Sequence, residues 1–200
     1  WKSDGTTAGT VLVKDIDPTD GGYYDESTMA AAGDTLYIAA QDGVHGRELW
    51  KSDGSEAGTV LVKDVYPGEY YSDPSSMTGV GSTLFFTARD GVHGRELWKS
   101  DGTEAGTVLV KDINPAGRSG YPPYSLTALG DELFFAADDG VHGRELWMSD
   151  GTEAGTVLVK DINVGGAFKV ASNGKEDLRE GTITLKVTVA YDTKIDMLVV

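Results

Sequence analysis

Short apolar runs alternate with polar, glycine-bearing punctuation along most of this chain. The runs are rich in Val, Leu, Phe and Thr and are bounded by Gly, Asp, Asn and Pro, the pattern of strands and turns. No window of about eleven residues keeps a 3.6-residue period, so no long helix is expected. In the best-defined stretch the pattern predicts four strands, at 76–80, 83–88, 95–100 and 107–113. Asp90-Gly91 and Asp101-Gly102 are hairpin signals, because Gly takes a positive φ without steric cost. Leu84-Phe85-Phe86, Leu97-Trp98 and Val108-Leu109-Val110 are consecutive apolar residues. A strand with one wet face alternates, so runs of this kind need cover on both faces.

The pattern repeats. Tryptophan recurs at Trp1, Trp50, Trp98 and Trp147, at steps of 49, 48 and 49. Each opens the string W-[KM]-S-D-G-[TS]-x-A-G-T-V-L-V-K-D-[IV], and the later three follow an identical D-G-V-H-G-R-E-L at 42–49, 90–97 and 139–146. Residues 1–163 therefore read as a half unit over 1–16 and full units over about 27–65, 76–113 and 125–162. The expected fold is all-β: four-stranded antiparallel sheets covered on both faces at this period, as in the blades of a β-propeller, with a β-solenoid as the rival.

Residues 164–200 share no block with the repeat and form a divergent C-terminal β segment. Over 182–190, Ile183, Leu185, Val187 and Val189 alternate with Thr182, Thr184, Lys186 and Thr188, which predicts a half-buried strand. A second strand-like run covers 194–200. The half unit at 1–16 lacks its two leading strands. The C-terminal segment is expected to supply them, closing the array, or to pair with the open edge of another copy, since an unpaired strand edge recruits strands. Self-association through open β-edges and residues 182–200 is the expectation.

The strings E-L-W-K-S-D-G-S at 48–55, E-L-W-K-S-D-G-T at 96–103 and E-L-W-M-S-D-G-T at 145–152 resemble the ELWxxDGT repeat family of secreted bacterial proteins. The resemblance runs on through A-G-T-V-L-V-K-D and D-G-V-H-G-R and covers residues 1 to about 163. It implies a propeller-like scaffold in a large extracellular or cell-surface bacterial protein, and it implies no catalytic residues. The chain departs from the pattern where Val164-Gly165-Gly166 replaces the proline seen at Pro18, Pro67 and Pro115.

Charge narrows the partners. Seventeen Lys and Arg against 32 Asp and Glu give a formal net charge of -15. That field repels a phosphate backbone and an anionic membrane surface, so nucleic acid is not expected as a partner. No run is long enough for a membrane-spanning helix, and the absence of cysteine excludes disulfides and thiol chemistry. A beginning inside a motif at Trp1 reads as a processed or trimmed piece of a longer product.

Three constellations could carry chemistry. His45, His93 and His142 occur once per unit, each in a D-G-V-H-G turn without a second ligand at metal spacing, so local hydrogen bonding is expected of them. Asp15, Asp17 and Asp20, ahead of Gly21, offer oxygen donors to a Ca2+ ion; the later units keep only Asp64, Asp112 and Asp161, and the competing reading is a solvated acidic surface. Tyrosines gather in the loops between units. Tyr23, Tyr24, Tyr70, Tyr71, Tyr121 and Tyr124 are the candidates for stacking on a polysaccharide or packing against a protein, with loop packing as the alternative. There is no nucleophile elbow, phosphate loop or paired-carboxylate signature, and like units do not bring unlike groups together, so the chain reads as no enzyme. The expected function is an extracellular structural or adhesive repeat module that self-assembles or binds a partner by β-strand addition. The alternative is a glycan-binding lectin using its Tyr-bearing loops.

Overall fold

Each full unit of the repeat forms one four-stranded antiparallel sheet. The computed structural model describes residues 1–18, 28–115 and 122–162. The first sheet holds β1 (Met29–Ala32), β2 (Thr35–Ala40), β3 (Glu48–Ser52) and β4 (Val60–Lys63). The second holds β5 (Ser75–Val80), β6 (Thr83–Arg89), β7 (Arg95–Ser100) and β8 (Val108–Lys111). The third holds β9 (Tyr124–Leu129), β10 (Glu132–Asp138), β11 (Arg144–Ser149) and β12 (Val157–Lys160). Within each sheet every strand pairs with its neighbours in sequence, and no helix occurs among the described residues. The half unit contributes one antiparallel bridge, Lys2 to Val11, the counterpart of Lys51 to Val60 and Lys99 to Val108. The segment 164–200, with the strands expected at 182–190 and 194–200, lies outside the described residues.

The sheets stack, and the stacking explains the consecutive apolar runs. On the second sheet Leu84, Phe86, Ala88 and Trp98 face back toward the first sheet and meet Tyr37, Leu49, Val62 and Val65. Phe85, Leu97, Val110 and Ile113 face forward and meet Leu133, Phe135, Ala137 and Trp147 of the third. Adjacent residues of one strand thus enter two different cores, because successive side chains point to opposite faces. The first strands β1, β5 and β9 lie against one another. There Gly33 donates its amide to the Gly81 carbonyl at 2.8 Å, and the Thr78 hydroxyl donates to the Leu126 carbonyl at 3.0 Å. The described residues form no closed ring.

One expectation about burial is corrected. Val108 begins the run Val108-Leu109-Val110 but is 36% exposed, and Val60 and Val157 are exposed as well. They open the last strand of each sheet, at its edge, where the neighbouring sheet does not reach. The predicted strand at 107–113 also shortens to Val108–Lys111. A bulge interrupts the ladder opposite Leu97 and Trp98, and the chain then turns out of the sheet.

The polar residues of the repeat are spent on holding this arrangement. In each S-D-G-[TS]-x-A-G-T loop the serine and threonine hydroxyls bond to each other, at 2.7 Å for Ser52 and Thr59 and 2.8 Å for Ser100 and Thr107. The loop aspartate accepts from the amide and hydroxyl two residues on, as Asp101 does from Thr103 at 2.8 and 2.7 Å. Gly102 has φ +85, and a Cβ there would stand 2.8 Å from the Tyr37 hydroxyl, so glycine serves both the turn and the close approach of the preceding sheet. Lysines bridge unit to unit. Lys14, Lys63 and Lys111 donate from Nζ to the carbonyls of Thr59, Thr107 and Thr156 at 2.8, 2.9 and 3.0 Å. Lys2 and Lys51 donate to the carbonyls of Gly54 and Gly102 at 2.9 and 2.7 Å.

The third strand of each sheet carries a buried glutamate. A carboxylate out of water is costly unless it is hydrogen-bonded. Glu48 accepts the amides of Val65 and Ser72 at 2.8 and 2.9 Å and the Ser72 hydroxyl at 2.6 Å. Glu96 accepts the Ile113 amide at 3.1 Å, and Glu145 the Ile162 amide at 3.0 Å. Glu96 thus secures the exit of its own sheet through a backbone amide rather than by pairing with a charge on the adjacent unit. Arg95 finds its charge in the connection leading into its own sheet, where its guanidinium reaches Asp73 at 3.4 Å and Ser75 Oγ at 3.0 Å. Arg47 and Arg89 also reach Asp73, at 3.9 and 3.5 Å.

Two predictions follow from burial. Leu97→Ala removes a side chain 0% exposed and should cost about 2–5 kcal/mol. Leu146→Ala, at the same motif position but 40% exposed, should cost roughly 1 kcal/mol or less, as read from urea unfolding of dilute protein. Burial pushes the Glu96 carboxyl up from 4.5 to about 7, with the nearby Asp112 charge acting in the same direction against the Ile113 amide. The folded state then holds a proton that the unfolded chain releases. The contribution is full below about 4.5 and is lost as pH rises toward about 7. Glu96→Gln keeps an acceptor for the amide, so wild type should lose on the order of 1–3 kcal/mol relative to the variant across that window. Parallel pH profiles in urea unfolding would contradict this.

Candidate functional site

Three sets of residues could meet a partner: the D-G-V-H-G turns, the loops between sheets, and the outward faces of the end units. In the turns, an aspartate organises the chain and then orients the histidine. Asp42 Oδ1 accepts the amides of Val44 and His45 at 3.0 and 2.8 Å, and His45 Nδ1 lies 2.8 Å from Asp42 Oδ2. The same contact is 2.6 Å in both His93–Asp90 and His142–Asp139. The carboxylate hydrogen bond raises all three histidines above their ordinary pKa. Among the described residues no three of His, Asp and Glu are placed to hold a metal ion. The histidines thus make the local bond expected of them, one per turn.

Of the calcium candidates, Asp15 is exposed and Asp17 is buried, while Asp20 lies outside the described residues. At the K-D step one carboxylate oxygen each of Asp64, Asp112 and Asp161 is buried without a hydrogen-bond partner. Sequence spacing singled these three residues out only as the remnants of a calcium pattern, because burial of a single atom leaves no trace in the sequence.

Tyr23, Tyr24 and Tyr121 lie outside the described residues. Tyr70 and Tyr71 are 62% and 50% exposed. The Tyr70 ring stacks on Tyr66, centroids 4.8 Å apart and planes 18° off parallel. Tyr66 in turn lies against Gly91 in the D-G-V-H-G turn of the second sheet. The backbone of this loop is also fixed, since the Gly46 amide donates to the Gly68 carbonyl at 3.2 Å. Tyr66, a tyrosine of the same loop that the sequence also marks, is the ring that seats Tyr70 on the array. Tyr124 opens β9 and lies under the Arg144 guanidinium, 5.9 Å from its centroid. It belongs to another unit and does not join the Tyr66–Tyr71 group.

The two ends of the array are apolar. On the forward face of the third sheet Leu129, Leu146, Val159 and Ile162 are exposed. At the other end Trp1 and Leu12 are exposed. Among the described residues no helix is long and apolar enough to cross a membrane.

No family model and no curated protein matches the chain. Among solved structures it is similar to a crystal structure of puromycin hydrolase, at 15% identity and a TM-score of 0.45, over 66% of this chain. The chain spans 20% of that protein's length. The expectation of no enzyme is withdrawn: the solved structure found similar is that of a hydrolase, at an identity and TM-score that assign this chain no activity and exclude none. Likeness among units speaks only of groups inside the array and does not exclude catalysis. A likeness this distant carries no activity to the chain either.

Proposed function

We propose that this chain is a repeat module of a secreted or cell-surface bacterial protein. In it the stacked four-stranded sheets act as propeller-like blades, and the module self-assembles or binds a partner through exposed strands and sheet ends. One observation carries the reading. The repeated Ser, Thr, Asp, His, Glu and Lys side chains bond within and between units, while Val60, Val108 and Val157 on the edge strand of each sheet stay exposed. Exposed sheet ends and edges are sites of association. The net charge of -15 favours partners other than nucleic acid. The repeat resemblance supports an extracellular location.

A polysaccharide is the second reading, favoured by the Tyr66–Tyr70 stack beside the exposed Tyr71. An aromatic face held rigidly at a surface suits the apolar face of a sugar ring. Light scattering across a concentration series tests the first reading: the mass should rise with concentration, and a constant monomer mass counts against it. Glycan-array binding that is lost on joint Tyr70→Ala and Tyr71→Ala, with an unchanged melting temperature, would instead favour the second.

A further inference from the structure

Guanidinium groups gather at one place on this acidic chain, and there the second sheet departs from the other two. Asp73, in the connection between the first and second sheets, lies 3.4 Å from Arg95, 3.5 Å from Arg89 and 3.9 Å from Arg47. Arg95 and Arg89 share a single oxygen, Oδ2. Arg95 is committed to the fold, since its guanidinium also donates to Ser75 Oγ at 3.0 Å and to the Asp73 carbonyl. Arg89 is not: its side chain is 52% exposed, and Asp73 is its one ion-pair partner among the described residues.

Arg89 is also placed at a cost. It stands directly opposite Arg95 across β6 and β7, and like charges in facing positions destabilise a strand pair. In the third sheet the same two positions hold Asp138 and Arg144, of opposite charge. In the first sheet the counterpart of Arg89 is Gln41. The fold therefore does not require a cation here. Burial, and then the Arg89 charge, lower the pKa of Arg95 against the pull of Asp73, the mark of a positive local field. One carboxylate does not neutralise two guanidinium groups, each with five N–H donors to place.

Aromatic rings flank this cation. The Ser72 carbonyl accepts the Arg89 amide at 2.9 Å, and the Asp73 amide donates to the Arg47 carbonyl at 3.1 Å. The segment is thereby pinned between the start of β3 and the end of β6. It carries Tyr71, 50% exposed, and Tyr70, 62% exposed and stacked on Tyr66. Tyr71 is two residues from Asp73, a backbone span of at most about 7 Å.

We propose that this patch is a subsite for an acidic polysaccharide, in which Tyr70 and Tyr71 stack on sugar rings and Arg89 takes the carboxylate of a uronic acid unit. The proposal rests on the polysaccharide reading and gives it a ligand class. A guanidinium matches a planar carboxylate with two parallel N–H donors. The net charge of -15 opposes an anion at long range, but at physiological salt that field is screened over about 8 Å. Binding is decided nearer than that, at Arg89 and the rings.

Titration calorimetry of the 200-residue chain with a short oligogalacturonate and with its methyl ester, the same sugar without charge, tests this. The acid should bind at least ~10-fold tighter than the ester. Arg89→Gln installs the residue of the first sheet; it should erase that preference, leave the ester's affinity unchanged and not lower the melting temperature. Lys160→Gln removes one positive charge from an exposed site in the third sheet and should change nothing. Acid and ester bound alike, with Arg89→Gln silent, would leave the polysaccharide reading standing and overturn this subsite. Neither ligand bound would overturn both. Poly-glutamate bound as tightly as the oligogalacturonate would overturn the sugar as ligand, and a sulfated neutral-sugar oligomer bound more tightly would overturn the carboxylate. A lowered melting temperature for Arg89→Gln would make Arg89 a residue of the fold and overturn its assignment to a ligand.

Discussion

Burial of one sheet face against the next is the interaction on which the rest of the structure depends. A four-stranded sheet of this composition has apolar residues on both faces and can bury neither alone. Identical residues at Leu97 and Leu146 differ from 0% to 40% exposure only because one has a sheet in front of it. The stability of a unit is therefore partly its own and partly its neighbour's, as in other stacked repeats. Among the described residues the second sheet is the one packed between two full sheets.

Close stacking dictates the polar design. For sheets to approach, the loop at the end of the third strand must present backbone rather than side chain, hence glycine at Gly102 opposite Tyr37. Backbone brought into an interface exposes carbonyls that need donors. The lysines reaching from the preceding unit to Gly102 and Thr107 supply them while their stems cover apolar surface. The glutamates solve the reciprocal problem. Where the chain leaves a sheet its amides lose their ladder partners, and a buried carboxylate on the third strand accepts them. This explains why a glutamate sits at 0% exposure beside Leu49 and Trp50 rather than on the surface.

Much of the fold was legible because stacking leaves a periodic mark. Consecutive apolar residues at Leu84-Phe85-Phe86 and Leu97-Trp98 announced two-sided burial, and the Asp-Gly steps announced the turns. The same rule overreached at Val108, since a run of apolar residues does not say how far a neighbouring sheet extends across the edge strand. The role of Glu96 left no mark either, since its partner is a backbone amide, a group every residue has and no spacing encodes. The candidate site was less legible still. Tyr66, Tyr70 and Tyr71 could be picked out as loop tyrosines, but not that Tyr66 seats Tyr70, because that role depends on the turn of another unit. The inference against an enzyme from the likeness of the units went beyond what repetition can establish, for it concerns only the array.

Residues that recur in every unit are consumed by folding, so recognition has to arise where the units differ. Two kinds of difference are visible among the described residues. The loops between units differ in length and in their tyrosines. Met148 stands where Lys2, Lys51 and Lys99 stand in the other units, and of these lysines Lys2 and Lys51 donate to a glycine carbonyl of the next unit. A single side chain of this kind changes the polar contacts between two sheets without changing the backbone that brings them together.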